Sequence, residues 1–186
     1  MKKMFLVLFL FFLPIFLSAQ SNRVLSLDGD GDFVDLPESA SLLTFSNQIT
    51  VEVWVKQLVS KQCAIIQTGN QDDYEISIRP DGKLRTHIYP LGEIISNQTI
   101  SLNTWTHIAL IYNGTSQSIY INGSLDKSIP GTGNIGNSPQ GEAIAIGADY
   151  GSGMYQNFFN GLIDEVRVWN VARSQNQIQQ NMYQSL

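Results

Sequence analysis

The 186-residue chain contains one cysteine and two histidines, and this scarcity excludes several kinds of site. A single thiol, Cys63, rules out an intrachain disulfide and a cage of thiolate ligands around a metal. Cys63 stands beside an apolar run, so we interpret it as a small buried side chain and not as a nucleophile. The core must therefore stabilise the fold without a covalent cross-link.

Basic residues are scarce as well. The chain has 11 Lys and Arg residues against 16 Asp and Glu residues, which gives a formal charge of −5. Nucleic acids and anionic membranes attract basic surfaces, so this balance argues against both as partners. An acidic surface suits cations or neutral ligands such as sugars.

A long apolar run is found only at the N-terminus. Lys2 and Lys3 precede an apolar stretch from Phe5 to Leu17, and Ser18-Ala19 follows it. A basic start, an apolar middle and a small-residue end are typical of a secretory signal peptide. We therefore predict that residues 1–19 are a signal peptide.

Removal of that peptide would leave residues 20–186 as one domain that is secreted, or that lies at the cell surface or in the periplasm. We predict no membrane insertion after cleavage. A retained membrane anchor is the alternative. Pro14, and a run shorter than the roughly 20 residues needed to span a bilayer, disfavour the anchor.

Alternation of apolar and polar residues dominates the rest of the chain and predicts β-strands. Segments 49–56 and 74–79 are the clearest examples, and their apolar faces are predicted to point into the core: Val51, Val53, Val55, Ile76 and Ile78. Turns are predicted at Pro80-Asp81-Gly82, Asn113-Gly114 and Asn122-Gly123.

A helical period is found only in residues 174–186, where Ser174 is a candidate N-cap. Many short strands with regular turn signals predict an all-β fold. We expect a two-sheet antiparallel β-sandwich of the jelly-roll type, with a short C-terminal helical segment.

Four segments occur in the order and spacing of laminin-G-like, concanavalin A-like jelly-roll domains: LSLDGDGDFVDLP, ITVEVWVK, WTHIALIYNG with SIYING, and FNGLIDEVRVWNVARSQNQI. The chain therefore resembles the bacterial secreted members of that family. The resemblance covers nearly all of residues 24–183 and implies the jelly-roll fold. It says much less about the ligand, because one fold hosts many functions.

The opening segment 24–37 carries four carboxylates around two glycines: Asp28, Asp30, Asp32 and Asp35. An EF-hand loop requires glycine at its sixth position and glutamate at its twelfth, where this chain has Phe33 and Ser39. We therefore exclude an EF-hand. A tight hairpin turn at Asp30-Gly31, with Phe33 facing the core, is one interpretation.

A structural calcium ion is the other interpretation. Similar domains often hold Ca²⁺ where the turn after the first strand meets the acidic pair of the closing strand. The resemblance implies that the ligands here would be Asp28 and Asp164, together with backbone carbonyls. Asp164 and Glu165 are adjacent in the chain, so strand alternation predicts that they point to opposite faces.

A second candidate site lies in the segment 147–161, which combines glycines with an acid and aromatic residues. We predict that Asp149, Tyr150 and Tyr155 contact a ligand, because sugar sites pair an aromatic platform with a few polar groups. Asp72 and Asp73 are predicted on the same rim. An ordinary solvated loop is the alternative for each of these residues.

No catalytic motif is recognisable in the chain. The Glu-x-Asp-x-x-Glu pattern of jelly-roll glucanases is absent, as are a Ser-His-Asp set, a zinc motif and a phosphate loop. His107 lies among apolar residues and is predicted to be buried or hydrogen-bonded, and the three tryptophans are predicted to pack in the core or on a sheet face.

We therefore predict a secreted, non-catalytic module for binding or adhesion, whose partner is a glycan or an extracellular protein. A small glycan-active hydrolase and a structural subunit of a surface assembly are the alternatives. An acid pair in a concave cleft would favour the hydrolase, whereas an aromatic rim without one would favour binding.

Overall fold

A computed structural model describes residues 24–36, 45, 47–68, 73–136 and 144–185, and they form two antiparallel sheets packed face to face. Sheet 1 contains, in spatial order, β1 (Leu25–Asp28), β14 (Asn160–Trp169), β3 (Ile49–Gln57), β8 (Thr106–Tyr112), β9 (Ser116–Ile121) and β10 (Ser124–Pro130). Sheet 2 contains β2 (Val34–Leu36), β11 (Ile144–Ile146), β4 (Cys63–Thr68), β5 (Tyr74–Ile78), β6 (Lys83–Ile88) and β7 (Gly92–Thr99). The predicted two-sheet β-sandwich is confirmed.

The core lies between the inner faces of the two sheets. All five side chains predicted to point inward are buried, with exposed fractions of 1% or less: Val51, Val53, Val55, Ile76 and Ile78. Each buried side chain of this size contributes roughly 1.5–3 kcal/mol of hydrophobic free energy. Cys63 is buried among them, and burial raises the pKa of its thiol to about 12.

Three of the predicted turns join neighbouring strands. The turn at Asp81-Gly82 joins β5 to β6, the turn at Asn113-Gly114 joins β8 to β9, and the turn at Asn122-Gly123 joins β9 to β10. Gly82, Gly114, Asn122 and Gly123 have positive φ, the backbone region that favours glycine and asparagine.

The opening turn differs from the prediction. It does not close a hairpin, because β1 pairs with β14 in sheet 1 whereas β2 pairs with β11 in sheet 2. The segment Gly29–Phe33 therefore carries the chain from one sheet to the other. Alternation within each strand predicts its two faces, but it does not say which strand is its partner.

The outer face of sheet 1 is covered by the C-terminal segment. The helix α1 (Gln175–Asn181) begins after the predicted N-cap Ser174, which forms a capping box with Gln177. The buried Ile178 packs on Ala109 and Ile111 of β8 and forms a second, smaller apolar cluster. Side chains that alternate with the core residues of β3 are therefore buried too, on the opposite side of the sheet.

The helix is shorter than the predicted range 174–186. Trp54 Nε1 donates to the Met182 carbonyl at 2.7 Å, and Arg167 Nη1 donates to the Asn181 carbonyl at 3.0 Å. Carbonyls at a helix end need partners from outside the helix. Side chains of sheet 1 supply these partners, and the helix ends there.

Several predictions fall on residues that the structure does not describe, namely the signal peptide at 1–19 and Asp72. Within the described ranges, no helix has both the length and the apolar character that crossing a bilayer requires.

Candidate functional site

The segment predicted as a polar loop folds into a small hairpin. β12 (Asp149–Gly151) pairs with β13 (Met154–Gln156), and Tyr150 lies directly opposite Tyr155. The two tip residues, Ser152 and Gly153, both have positive φ. Two such residues form the type of turn whose twist matches a two-residue hairpin. Strands of only three residues are too short for an alternation pattern to reveal.

Four aromatic side chains meet at this hairpin, and we call Phe33, Tyr150, Tyr155 and Phe158 the hairpin cluster. The rings of Tyr150 and Tyr155 are 5.0 Å apart at 62°, and Phe33 lies 4.0 Å from Tyr155. Phe158 is 6.1 Å from Phe33. All four rings are half-buried, so each keeps some exposed surface. One interpretation of the sequence placed Phe33 in the core. In the structure it packs instead at the rim of the sandwich.

Two side chains hold the cluster in place. Gln67 is 2% exposed and bonds the backbone of Tyr150 at both its N–H and its carbonyl. Burial and a hydrogen bond to the nearby Asp35 carboxylate raise the pKa of Tyr155. The hairpin cluster is therefore fixed to β4 and to the opening segment without a ligand.

Asp149 stands at the start of the hairpin, beside Tyr150. Its Oδ2 accepts hydrogen bonds from Asn157 Nδ2 at 3.0 Å and from Gln156 Nε2 at 3.3 Å. The side-chain amides of Gln156 and Asn157 both donate to Oδ2, so neither of them bonds Oδ1 of Asp149. The structure therefore brings together the three residues predicted at 149–155.

Asp73, which was also predicted on this rim, is buried. Asp73 is only 1% exposed and lies at the start of sheet 2, where its N–H donates to the Thr68 carbonyl at 3.0 Å. A side chain with so little surface offers almost nothing to a ligand. Asp72 lies outside the described residues.

Asp28 ends β1 and shapes the opening turn. Its Oδ1 accepts from the Asp30 N–H at 2.7 Å, and its carbonyl accepts from the Asn160 side chain. The Lys61 ammonium donates to the Gly29 carbonyl at 2.8 Å. A cation from β3–β4 thus already lies beside the carboxylates of this turn.

The structure does not bring Asp28 and Asp164 together. Asp28 lies opposite Asn160 in the β1–β14 ladder, and Asp164 is four residues further along β14. At about 3.3 Å per residue, about 13 Å of strand separates the two positions, whereas calcium ligands lie within about 2.6 Å of the ion. Among the described residues, no group of three or more His, Cys, Asp or Glu side chains could hold a metal. The predicted ligand pair does not fit one ion.

Asp164 and Glu165 lie instead at a bulge in β14. The register of β14 against β3 shifts between Asp164 and Arg167, and Glu165 has a φ of 50°. A bulge interrupts alternation, and both residues line the same groove. The regular alternation on which the opposite-faces prediction rests therefore does not hold at this point of β14.

That groove has a volume of about 310 Å³ and lies on the outer face of sheet 1, beside the C-terminal segment. Its walls include Trp54, Trp105 and Tyr183, and we call this the acidic aromatic groove. Trp105 and Tyr183 are 36% and 77% exposed, whereas Trp54 packs against His107 on the outer face of sheet 1. The residues that line the groove come from distant parts of the chain, so local sequence patterns could not predict it.

The sequence patterns did not assign Gln67, Asp35 or Phe33 to the site at the hairpin. A signal for Gln67 exists, because it is the one amide in the apolar run CAIIQT that becomes β4. A polar side chain in a buried strand usually has a specific partner.

A sequence profile of the concanavalin A-like lectin/glucanases superfamily matches residues 28–179. The chain belongs to this superfamily. The match spans the opening turn, both sheets and most of the C-terminal helix. A comparison with curated protein sequences finds no significant match.

Solved structures with the same fold include carbohydrate-binding proteins. A candidate carbohydrate-binding protein from Bacteroides ovatus is 25% identical with a TM-score of 0.65, and the alignment covers 81% of this chain but 44% of that one. Domain 4 of an extracellular arabinanase from Geobacillus stearothermophilus, in complex with arabinotriose, is 26% identical with a TM-score of 0.62, covering 84% and 75% of the two chains.

The CBM40 module of the Ruminococcus gnavus IT-sialidase, bound to α2,3-sialyllactose, has a TM-score of 0.66 and covers 86% of this chain and 95% of its own. Its 14% identity shows a shared fold and no more.

Proposed function

We propose that the chain is a secreted, non-catalytic module that binds glycans, and that it serves in attachment to glycan-bearing surfaces. The hairpin cluster is the observation that carries this proposal. Half-buried tyrosine rings beside a carboxylate with an unengaged oxygen are the elements from which sugar sites are built. Two of the solved structures with the same fold, at 25% and 26% identity, are described as a candidate carbohydrate-binding protein and as an arabinotriose complex.

In this proposal Tyr150, Asp149 and Tyr155 have different roles. The exposed part of Tyr150 offers a ring face for the C–H side of a sugar, and Asp149 Oδ1 offers an acceptor for its hydroxyls. Tyr155 supports Tyr150 from below and is itself fixed by Phe33 and Asp35. Because Gln67 holds the backbone of Tyr150, ordering of the platform costs little when a ligand binds.

The arrangement of acids favours binding over hydrolysis. Glycosidases hold two carboxyl groups on opposite sides of the bond, about 5–10 Å apart. Asp164 and Glu165 share a groove, but Glu165 Oε2 accepts two bonds from Arg167 and Asp164 Oδ1 accepts one from the Glu165 N–H. One oxygen of each carboxylate is therefore engaged within the protein itself, which does not suit an acid–base pair that acts on a glycosidic bond.

A glycan array probed with the chain lacking residues 1–19 tests the proposal. We expect binding to a restricted set of glycans. Tyr150→Ala should weaken it by roughly two- to tenfold, the equivalent of about 0.5–1.5 kcal/mol for one aromatic contact. Tyr89→Ala is the control, since Tyr89 is 43% exposed and follows β6, two strands away from β4, which holds the hairpin.

Mass spectrometry of the bound glycans then separates a binding module from a hydrolase. Unchanged glycans are expected. Shortened glycans would show that the chain is an enzyme. If the wild type binds no glycan but binds an extracellular protein, the partner is a protein and not a glycan.

A further inference from the structure

We propose that the acidic aromatic groove is a second ligand site, specific for an alkylammonium group. The groove combines three aromatic rings with two carboxylates, and no Lys or Arg is among the described residues that line it. Aromatic faces and carboxylates both attract organic cations, and cages of aromatic rings are a recurring way to bind substituted ammonium groups. The site is separate from the hairpin cluster and does not depend on the proposed glycan binding.

The aromatic walls are held in position by the surrounding protein. Trp54 Nε1 donates to the Met182 carbonyl at 2.7 Å, and its ring lies 5.3 Å from His107 and 5.6 Å from Tyr183. The edge of Trp54 is therefore fixed while Tyr183 stands at the mouth, 77% exposed. Trp105, at 36% exposure, adds a further partly exposed ring from the loop before β8.

The carboxylates reach the groove because of the bulge in β14. Glu165 adopts a φ of 50°, a conformation that is uncommon for a residue other than Gly, Asn or Asp. Without the bulge, one of the two acids would face the core side of the sheet. With it, Asp164 and Glu165 both line the groove.

The net charge of the groove matches a monovalent cation. Glu165 is paired with the Arg167 guanidinium at 2.6 Å, and Arg167 is 7% exposed, so this positive charge stays in place beneath the groove. Two carboxylates and one guanidinium leave one negative charge at Asp164. That charge complements one ammonium group.

Other ligands fit less well. Calcium takes six to eight oxygen ligands, and the aromatic walls supply none. A neutral sugar can donate hydroxyls to Asp164, as proposed at Asp149, but it leaves the negative charge there uncompensated, and neutral alcohol probes test this difference. At about 310 Å³ the groove is at the lower end of small-molecule sites, which range over roughly 300–1,000 Å³.

Nuclear magnetic resonance titration of the full chain tests this site, because its three tryptophans report on different surfaces. Tetramethylammonium and n-butylammonium are the probes, and 2,2-dimethylpropanol and 1-butanol are their neutral counterparts. We expect the indole N–H signals of Trp54 and Trp105 to shift with both cations and not with the alcohols. Trp169, which stacks on Arg173 at 4.5 Å, should not shift. The cation that binds more tightly shows whether the groove prefers a methylated or a primary ammonium group.

Variants identify the groups responsible. Trp105→Ala should weaken binding of the cations by roughly two- to thirtyfold, the range of cation–π contacts from exposed to desolvated. Asp164→Asn should weaken it as well, because it removes the net negative charge of the groove. Trp169→Ala is the matched control, with 37% exposure against 36% for Trp105, and it should bind as the wild type does. Equal binding of an alcohol and its cation, or wild-type affinity in folded Asp164→Asn, would overturn the proposal.

Discussion

Glu52 is a carboxylate with no exposed surface, although it lies on the outer face of sheet 1. Arg173 Nη1 lies 2.5 Å from its Oε1, and His107 Nε2 lies 3.5 Å from its Oε2. Burial alone would raise the pKa of Glu52, but the hydrogen bonds and charges of His107 and Arg173 outweigh it and hold the pKa below the ordinary value of 4.5. The ion pair between Arg173 and Glu52 connects the C-terminal segment to β3.

We expect Glu52→Gln to destabilise the protein by about 3–5 kcal/mol at neutral pH, because it leaves the buried Arg173 without its countercharge. The wild type should also lose stability as the pH falls below about 4.5, since the unfolded chain takes up a proton there before the folded chain does. Denaturant unfolding across the acid range measures both effects, and the variant should lack this part of the acid dependence.

Glu93→Gln is the control for this prediction. Glu93 pairs with Arg85 at 2.9 Å but is 52% exposed, and exposed pairs contribute about 1 kcal/mol or less. Equal stability of the two variants would show that Glu52 does not act as a buried anchor.

Glu52 also shows what sequence patterns omit at the residue scale. Alternation correctly placed Glu52 opposite the core residues of β3, and it also placed His107 among buried residues. It could not show that Glu52 is covered, because the cover comes from residues about 120 positions later in the chain.

At the scale of elements, long alternating strands were predictable and irregular ones were not. β3 and β5 appear close to their predicted ranges because each has several residues of consistent alternation. The hairpin β12–β13 and the bulge at Glu165 were missed, because each depends on a few backbone angles. Both candidate sites are built on these irregular features, so the site could be predicted only in part.

Calcium binding stays a prediction, and Asp28 would place the ion at the turn between β1 and β2. If an ion binds there, it stabilises the native state by about 2.7 kcal/mol at a hundredfold excess over the dissociation constant. Each kcal/mol raises the melting temperature of a domain of this size by about 2–4 °C. Calcium should then raise it by several degrees, and a chelator should reverse the change.

Two variants locate the ion. Asp28→Asn should abolish the response to calcium, whereas Asp164→Asn should keep it, since about 13 Å of strand separates the two. A wild-type melt that is the same with calcium and with chelator would leave the acidic segment as a turn without a metal, whose Gly29 carbonyl is bonded by Lys61.

At the scale of the whole molecule, the two sheets are connected on both sides. On one side the opening turn links β1 to β2, and on the other β10 is tied to β7. Asp126 of β10 accepts from the N–H groups of Asn97 and Gln98 at 2.6 and 3.1 Å, and Lys127 donates to the Ile95 carbonyl. Edge strands covered in this way are poor templates for aggregation.

Export is the prediction that concerns the chain as a whole. Lys2, Lys3 and the apolar run that follows should direct the protein out of the cytoplasm and then be removed. N-terminal sequencing of the exported protein should begin near Gln20. A membrane-bound product that still begins at Met1 would show that the segment is an anchor.

Glycan binding at the hairpin cluster is the central claim, and one comparison tests it most directly. The wild type, Tyr150→Ala and Tyr89→Ala are titrated by calorimetry with the glycan that the array selects. The account predicts that Tyr150→Ala binds roughly two- to tenfold more weakly, whereas Tyr89→Ala binds as the wild type does. Equal affinity of all three proteins would contradict it and would place the glycan site elsewhere on the sandwich.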